Sequence, residues 1–363
     1  MKEYISFDSH KHYTLAERED GATGRAVQKR IEHSPGAVRE YLQGCEPGTA
    51  VAVEATGNWY WIVQEIEEAK MRPLLVHPRK AKLMMGLINK TDQLDVHGLN
   101  RLQRNGTLPT VWIPPGELRD LRELTRTRLV LTRQRTQLKN RISATLAKYG
   151  LQQSDCSDRY GKKGRRSLEQ RVQELPRHTQ WATQLLLEQL DFVSDQIQKT
   201  EQKLNHLLQE TPDMQLVTTA PGIGAILATT MALEIGDISR FAVPERLASY
   251  SGTTPRVHAS GGKVRYGPSR SDVNRYLKWA FAEAANSVAV NHRRCPQRHV
   301  SQLYRRLRKK TNHPKAIGAV ARHLAEAVHV MLTRKQPYKE RNRPTGLEVE
   351  VHARFRHELS VTH

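Results

Sequence analysis

Cysteine and long apolar runs are the scarcest features of this sequence. Three cysteines occur in 363 residues, Cys45, Cys156 and Cys295. They stand far apart and in no paired spacing, which argues against a disulfide framework and against a structural zinc site. No apolar run approaches the roughly 18–20 residues that a membrane-spanning helix needs, and no signal-peptide pattern opens the chain. We therefore expect an intracellular, cytoplasmic protein in a reducing compartment.

Acidic residues are few compared with basic ones. The chain has 58 Lys and Arg against 37 Asp and Glu, which gives a formal net charge of +21. Such an excess attracts polyanions, and the release of counterions favours nucleic acid over acidic metabolites as the partner. A membrane surface is the competing polyanion, but the sequence offers no segment to cross a membrane. The length predicts two or three domains with a substantial core.

The first 115 residues alternate strand and helix patterns. Strands are predicted over residues 4–8, 49–56 and 73–78, with a hairpin partner for the first over 11–17, and a helix is predicted to begin near residue 58. Alternation of this kind predicts a sheet covered by helices. We therefore expect an α/β domain over residues 1–115, which a Pro-Pro-Gly step closes.

Two long helices with heptad spacing are predicted next, over about 117–149 and 176–210. The heptad positions are occupied by Leu121, Leu124, Leu131, Leu138 and Ile142 in the first helix and by Leu190, Ile197 and Leu204 in the second, with Arg128 and Arg135 interrupting one row. Apolar residues at this spacing are typical of coiled coils. The pattern predicts an antiparallel coiled-coil arm over residues 116–211, which serves either for spacing or for dimerisation.

The remainder is predicted to be mainly α-helical over residues 212–338, followed by a polar tail over 339–363. Helices are predicted near 272–290 and 315–332, and a Gly- and Ser-rich loop is predicted over 251–269. The segment around Pro221-Gly222-Ile223-Gly224 resembles a helix-hairpin-helix element, although its apolar residues suit ordinary helix packing equally well.

Four carboxylates form the first candidate site. Asp8 and Glu54 end two predicted strands, and Asp92 and Asp95 stand three residues apart, on one face of a predicted helix. If they converge, they repel one another unless a cation neutralises them, and Mg²⁺ or Mn²⁺ with oxygen ligands is the natural counter-charge. Such a site polarises a scissile phosphate. Each acid taken alone is more often an ion-pair partner or a helix N-terminal charge.

The predicted serine loop forms the second candidate site. Ser260 is followed by two glycines, which let a backbone approach a phosphate, and His258 stands near enough in sequence to serve as a base. A serine hydroxyl becomes a nucleophile only with such assistance. The alternative is a flexible basic turn that contacts the DNA backbone. Candidate nucleic-acid contacts are Lys263, Arg265, Arg270, Asn274, Arg275 and Lys278.

An ordered set of short motifs carries a family resemblance across roughly residues 1–335. These are Asp8, "VEATG", "NKTDQLD", "APGIG", "SGTTPR" and "ASGGKVRYG". The chain resembles the DEDD transposases of insertion sequences, relatives of the Piv and MooV DNA invertases. Val96 and Thr253 depart from the residues usual in the family, and neither is a proposed catalytic group.

This resemblance implies an RuvC-like (RNase H-like) N-terminal domain in which Asp8, Glu54, Asp92 and Asp95 hold Mg²⁺. It also implies a coiled-coil arm and a C-terminal transposase domain with Ser260 as the nucleophile that links covalently to DNA. It further implies a tetramer with composite active sites, donor and target DNA, and a structured bridge RNA that chooses sequences by base pairing. A prokaryotic, nucleoid-associated location follows from the same resemblance.

Two other functions are compatible with the same residues. An RuvC-like nuclease or resolvase would use metal-activated water, and Ser260 would then bind phosphate only. A non-enzymatic scaffold built on the coiled coil would carry the acids as surface charges. The sequence shows no convincing Arg…His-x-x-Arg…Tyr series, which argues against a tyrosine recombinase.

Overall fold

The computed structural model describes residues 3–86, 91–152, 158–270 and 272–340. Cys156 and the predicted tail from residue 341 onward lie outside these described residues. The chain divides into two compact units, of which the first ends at Pro114 and the second begins at Pro115. The domain boundaries given above, including the separation of an arm from a C-terminal domain, stay predictions. Within the described ranges, no helix is both long and apolar enough to span a bilayer.

The first unit is an α/β domain, as predicted, with one sheet covered by helices. Its elements are β1 Glu3–Ser9, β2 Tyr13–Asp20, β3 Ala26–Glu32, α1 Ala37–Leu42, β4 Ala50–Glu54, α2 Trp59–Glu68, β5 Arg72–Val76, α3 Pro78–Met85 and α4 Asp92–Arg104. The five strands lie in the order β3-β2-β1-β4-β5. The β1–β2 and β2–β3 pairs are antiparallel, and the β1–β4 and β4–β5 pairs are parallel. The sequence did not predict β3, α1 or α3.

Side chains that alternate along the strands supply two cores, one on each face of the sheet. On one face Phe7 and Val53 pack with Ile62 of α2. On the other face Ala52 and Val76 pack with Leu99 of α4. The alternation therefore assigns each strand residue to the α1–α2 side or to the α3–α4 side.

Helix α4 is attached to the sheet by buried polar groups as well as by apolar packing. The Ser6 hydroxyl donates to the Val96 carbonyl at 2.8 Å. The Glu17 carboxylate, 1% exposed, accepts from Asn100 Nδ2 at 3.1 Å and lies 3.0 Å from His97 Nδ1. Because buried polar groups need these specific partners, the contacts fix the position of α4 along β1 and β2.

The second unit is mainly helical, as predicted. Its elements are α5 Gly116–Lys148, α6 Lys162–Gln173, α7 Arg177–Glu210, α8 Pro212–Thr218, α9 Ala225–Ile235, a 3₁₀ turn Ile238–Arg240, α10 Pro244–Tyr250, β6 Pro255–Ser260, β7 Lys263–Ser269, α11 Arg275–Asn291, α12 His299–Lys310 and α13 His313–Arg334. A large apolar cluster packs α11 against α13, with Phe281 and Leu324 fully buried.

Helices α5 and α7 lie side by side and run antiparallel. Arg128 Nε donates to Glu201 Oε1 at 3.0 Å, while at the other end of α5 the Tyr149 hydroxyl lies 3.2 Å from Thr179 Oγ1. Arg128 interrupts the heptad row in the sequence because it pairs with an acid on the neighbouring helix. The description of this pair as a coiled coil stays a prediction.

The prediction of a loop over residues 251–269 is wrong in part, because this segment contains the antiparallel hairpin β6–β7. Gly261 and Gly262 form its two-residue turn with φ of 55° and 73°. Both turn positions of this hairpin type require positive φ, which glycine adopts without strain. The two glycines are therefore explained by the turn, and not by a flexible loop.

The glycine turn before α9 also has a packing explanation. Gly222 has a φ of 80°, and a Cβ at this position would lie 2.4 Å from the Ala284 carbonyl oxygen of α11. A side chain here would therefore push α11 away. Close packing against α11 accounts for Gly222 without a phosphate contact.

Candidate metal and nucleic-acid site

Asp8 lies one residue before the end of β1, on the face of the sheet that carries α4. Asp8 is 8% exposed. Ser6, two residues earlier on the same strand, lies on the same face and hydrogen-bonds to α4. The parallel register pairs Phe7 with Val53, so the next residues along the two strands are Asp8 and Glu54. Ala52 faces α3 and α4, and Glu54, two residues later, lies on that same face. The sheet therefore brings these two acids to neighbouring strand ends.

The start of α4 supplies the other two acids. The Thr91 hydroxyl caps the helix by accepting from the Leu94 N–H at 3.2 Å. Asp92 and Asp95 both lie in the first turn, where the helix dipole stabilises negative charge. Asp92 and Asp95 are therefore helix N-terminal charges, and this role is compatible with a role in metal binding.

His10 joins Asp8 and Asp92 into a compact group that the sequence analysis did not predict. Its Nε2 atom lies 3.3 Å from Asp8 Oδ2 and 3.2 Å from Asp92 Oδ2. One potential ligand atom from each of the three residues lies within 4.8 Å of the others. The Tyr13 hydroxyl donates to Asp92 Oδ2 at 2.8 Å, and this hydrogen bond raises the pKa of Tyr13. The spacing of His10 two residues after Asp8 was the available signal.

The electrostatics of this group favour a cation. Burial raises the pKa of the Asp8 carboxyl above its ordinary value, His10 lowers it, and the charges of Asp92 and Asp95 raise it further. Carboxylates brought together in this way are stabilised when a positive charge is placed between them. Asp95 acts on Asp8 through its charge, whereas Asp92 also contacts His10 directly.

The donor set fits a divalent metal ion. The Nε2 atom of His10 is buried and makes no hydrogen bond within the described residues, although two carboxylate oxygens lie within 3.3 Å of it. Carboxylate oxygen and imidazole nitrogen are both common ligands of divalent metals. The Asp92 side chain is 42% exposed, which leaves one side of the group open to a substrate.

We expect Asp8→Asn to raise the free energy of unfolding at pH 7 in metal-free buffer, by on the order of 1 kcal/mol. A carboxyl whose pKa is raised by folding contributes its full stability below the unfolded value, 3.8, and loses it as pH rises through the folded value. The amide keeps the shape and carries no charge. Thermal unfolding with and without Mn²⁺ checks this, because Mn²⁺ should stabilise the wild type more than the variant.

Glu40→Gln is the control for that measurement, since Glu40 is an exposed first-turn acid of α1. If Asp8→Asn and Glu40→Gln have the same stability at pH 7 and the same response to Mn²⁺, then the Asp8 carboxylate neither destabilises the fold nor binds the metal.

Ser260 is the last residue of β6 and is exposed beside the hairpin turn. The register pairs Ser260 with Lys263 and His258 with Arg265. Directly opposed residues share a face of the sheet, and so do residues two apart on one strand. One face of the hairpin therefore presents a hydroxyl, an imidazole and two cations together. Within the described residues, the Ser260 hydroxyl makes no hydrogen bond.

The other four predicted nucleic-acid residues lie after the hairpin. Arg270 forms an ion pair with Asp272, with Nε donating to Oδ1 at 2.9 Å. Asn274 caps α11 by accepting from two backbone N–H groups at 3.0 Å, and it donates to Glu234 at 2.8 Å. Arg275 and Lys278 are exposed on α11. Asn274 thus has a structural role, and contact of these residues with nucleic acid stays a prediction.

Two family models match this chain. Residues 7–150 match the DEDD transposase model of the IS110 type, described as "Transposase". Residues 214–301 match the model described as "Transposase IS116/IS110/IS902 family". The first segment contains Asp8, Glu54, Asp92 and Asp95, and the second contains Ser260.

Curated relatives agree with these models. The chain is 25% identical over 259 residues to a probable family 20 transposase of Pseudomonas aeruginosa, covering 69% of this chain and 74% of the relative. It is 25% identical over 252 residues to the transposase for insertion sequence element IS1111A of Coxiella burnetii, covering 69% of each. It is 23% identical over 224 residues to the transposase for insertion sequence element IS1328 of Yersinia enterocolitica, covering 62% of this chain and 66% of the relative. The chain is therefore a DNA transposase of the IS110/IS116 family.

Proposed function

We propose that this transposase cuts and rejoins DNA through a covalent phosphoserine intermediate on Ser260, assisted by Mg²⁺ (or Mn²⁺) held by Asp8, Glu54, Asp92 and Asp95. The observation that carries the proposal is the group formed by Asp8, His10 and Asp92, whose ligand atoms lie within 4.8 Å of one another. Bound there, the metal ion would neutralise charge on the scissile phosphate. His10 would orient the two carboxylates, or itself donate a ligand.

An RuvC-like fold for the first unit is part of this proposal. Three antiparallel strands followed by two parallel ones, in the order β3-β2-β1-β4-β5, support it. So does the placement of the acids at the ends of β1 and β4 and at the start of α4. Ligands held by rigid elements keep the geometry that a metal-dependent reaction requires.

The hairpin supports the nucleophile part of the proposal. The Ser260 oxygen would form a bond to the scissile phosphorus, its proton would pass to a base such as His258, and the bond from phosphorus to the leaving sugar oxygen would break. That oxygen takes up a proton and becomes a hydroxyl. Lys263 and Arg265 share the face and would neutralise the phosphate. Because one phosphodiester replaces another, reversal on a new strand rejoins the DNA.

A metal-dependent nuclease or resolvase is the second candidate. The observation in its favour is that the exposed Ser260 hydroxyl has no base hydrogen-bonded to it within the described residues. In that case the acids would activate water, and Ser260 would bind phosphate only. The test is a suicide DNA substrate carrying an element end: the recombinase forms a denaturation-resistant adduct with DNA, whereas the nuclease cleaves without one.

A bridge RNA is also proposed, together with a relation to the Piv and MooV invertases. The support is the net charge of +21 and the ordered DEDD and serine motifs. Sequencing RNA that co-purifies with the protein tests the first point: a discrete structured species agrees with guidance, and bulk cellular RNA contradicts it.

We further propose a coiled-coil arm built from α5 and α7, and a homo-oligomer, such as a dimer or tetramer, that forms through α7. Trp181, Leu185 and Phe192 are 68%, 45% and 63% exposed, and their spacing places them on one face of α7. In an antiparallel pairing of two copies, Trp181 would meet Phe192 of the other copy. The same pairing brings His178 near Asp195, so polar side chains would meet at the margins of the apolar contact.

Replacing Trp181 and Phe192 by Glu is expected to lower the molar mass measured by light scattering to that of the monomer, because two charges would be buried in the contact. Val290→Glu is the control, at a site on α11 that is 79% exposed. An unchanged mass in the double variant would contradict this role for α7.

A further inference from the structure

Helix α12 presents cations on the side that faces away from the core. Val300 and Tyr304 are buried. The opposite side carries four exposed basic residues, here called the α12 basic face: Arg305, Arg306, Lys309 and Lys310. These residues line a surface depression of about 630 Å³.

The cations of the α12 basic face are not neutralised by the protein. Within the described residues, none of the four lies within ion-pair distance of a carboxylate, in contrast to Arg322 of α13, which lies 2.7 Å from Glu326. Residues 284–325 contain ten Lys and Arg and no Asp or Glu, so no acid is close in sequence either. The local field is therefore strongly positive.

Two observations argue against a merely solvated charged surface. Arg305 and Lys309 are four residues apart, as are Arg306 and Lys310, and like charges at this spacing destabilise a helix. The helix nevertheless has a fixed position, because Tyr304 packs in the core and its hydroxyl lies 2.9 Å from His313 Nδ1. Cations that repel one another on a rigid helix are better explained by an anionic partner that binds them together.

We propose that the α12 basic face binds the phosphate backbone of duplex DNA, independently of base sequence. This rests on the proposed function only in taking DNA as the substrate. The 12-residue helix is about 18 Å long, and duplex DNA carries one charge per roughly 1.7 Å of axis, so several phosphates lie within its reach. The face contains no exposed aromatic residue on which an unpaired base could stack.

Duplex DNA fits this face better than duplex RNA does. The major groove of B-DNA admits an α-helix along its backbone edges, whereas that of A-form RNA is too deep and narrow for side chains to enter. Binding through phosphates alone also suits an enzyme whose sequence choice lies elsewhere.

The test compares two double variants that each remove two positive charges from the full-length protein. Arg305→Gln with Lys309→Gln alters the α12 basic face. The matched control is Arg322→Gln with Lys199→Gln, whose cations are already paired with Glu326 and Asp195. Binding to a random-sequence DNA duplex is measured by fluorescence anisotropy over a series of KCl concentrations, and circular dichroism verifies that both variants are folded.

We expect the α12 variant to bind on the order of 10-fold or more weakly at low salt, and its slope of log K against log [salt] to fall by about 1.8, or about 0.9 per lost phosphate contact. The control keeps the wild-type slope. Equal losses in the two variants would show an effect of net charge alone and would overturn the proposal. So would no loss in either, or a larger loss on an RNA duplex of the same sequence.

This binding measurement is independent of the cleavage chemistry. The Ser260→Ala protein should show the same salt slope as the wild type, because the α12 basic face does not include the nucleophile. Absence of a covalent adduct would therefore contradict the phosphoserine proposal without affecting this result.

Discussion

Ser260→Ala is expected to abolish the covalent protein–DNA adduct and to lower strand exchange by on the order of 10³-fold or more, as expected when an enzyme loses its nucleophile. The substitution removes the hydroxyl that lies with His258, Lys263 and Arg265 on one face of the β6–β7 hairpin. Ser260 is exposed and makes no hydrogen bond within the described residues, so the fold should be unaffected. The measurement is denaturing electrophoresis of the protein with a suicide DNA substrate.

The control for this experiment is Ser167→Ala on α6, which removes a hydroxyl from the same unit of the protein and should leave adduct formation unchanged. Unchanged salt-dependent binding of DNA by Ser260→Ala would show that the substrate is still held. If Ser260→Ala formed the adduct at the wild-type level, another residue would be the nucleophile.

Asp92→Asn is expected to lower strand cleavage by on the order of 10²-fold or more, because it removes charge that would hold the metal beside the scissile phosphate. Asp92 lies within 3.2 Å of His10 Nε2 and accepts from Tyr13, so its amide would also disturb the orientation of His10. DNA binding should be retained or slightly strengthened, since one negative charge is lost. Cleavage and binding are measured on the same substrate in Mg²⁺ and in Mn²⁺.

Glu40→Gln is the matched control for Asp92→Asn, because both residues are acids in the first turn of a helix in the same unit. A general effect of helix-terminal charge would lower cleavage in both variants equally. Loss confined to Asp92→Asn supports the metal site. Full cleavage by Asp92→Asn would instead contradict a role for Asp92 in holding the metal.

Much of the first unit was predictable because two of its proposed metal-binding acids stand at the ends of recognisable strand patterns. Asp8 and Glu54 follow runs of alternating or apolar residues, so the sequence alone placed them at strand ends. Asp92 and Asp95 follow a helix-capping threonine at the correct spacing. The packing of α4 across the strand that carries Asp8 was not predictable. The position of α4 depends on contacts of His97 and Asn100 with the buried Glu17 of β2, which is far from α4 in the sequence.

Two features were missed for identifiable physical reasons. His10 follows the strand motif and belongs to none of the sites predicted from the sequence, whereas the turn of the chain after β1 places its ring between two carboxylates. The segment of the hairpin is predicted to be a loop because Gly and Ser dominate its centre. The alternation of Val257, Ala259, Val264 and Tyr266 on either side of two glycines was the available strand signal.

Mass spectrometry of the trapped adduct tests the central proposal most directly. After nuclease digestion of the DNA and proteolysis of the protein, we expect a nucleotide attached to the peptide that contains Ser260, and no such peptide when the metal is removed by a chelator. A nucleotide on a different residue, or cleaved DNA without any modified peptide, would contradict it.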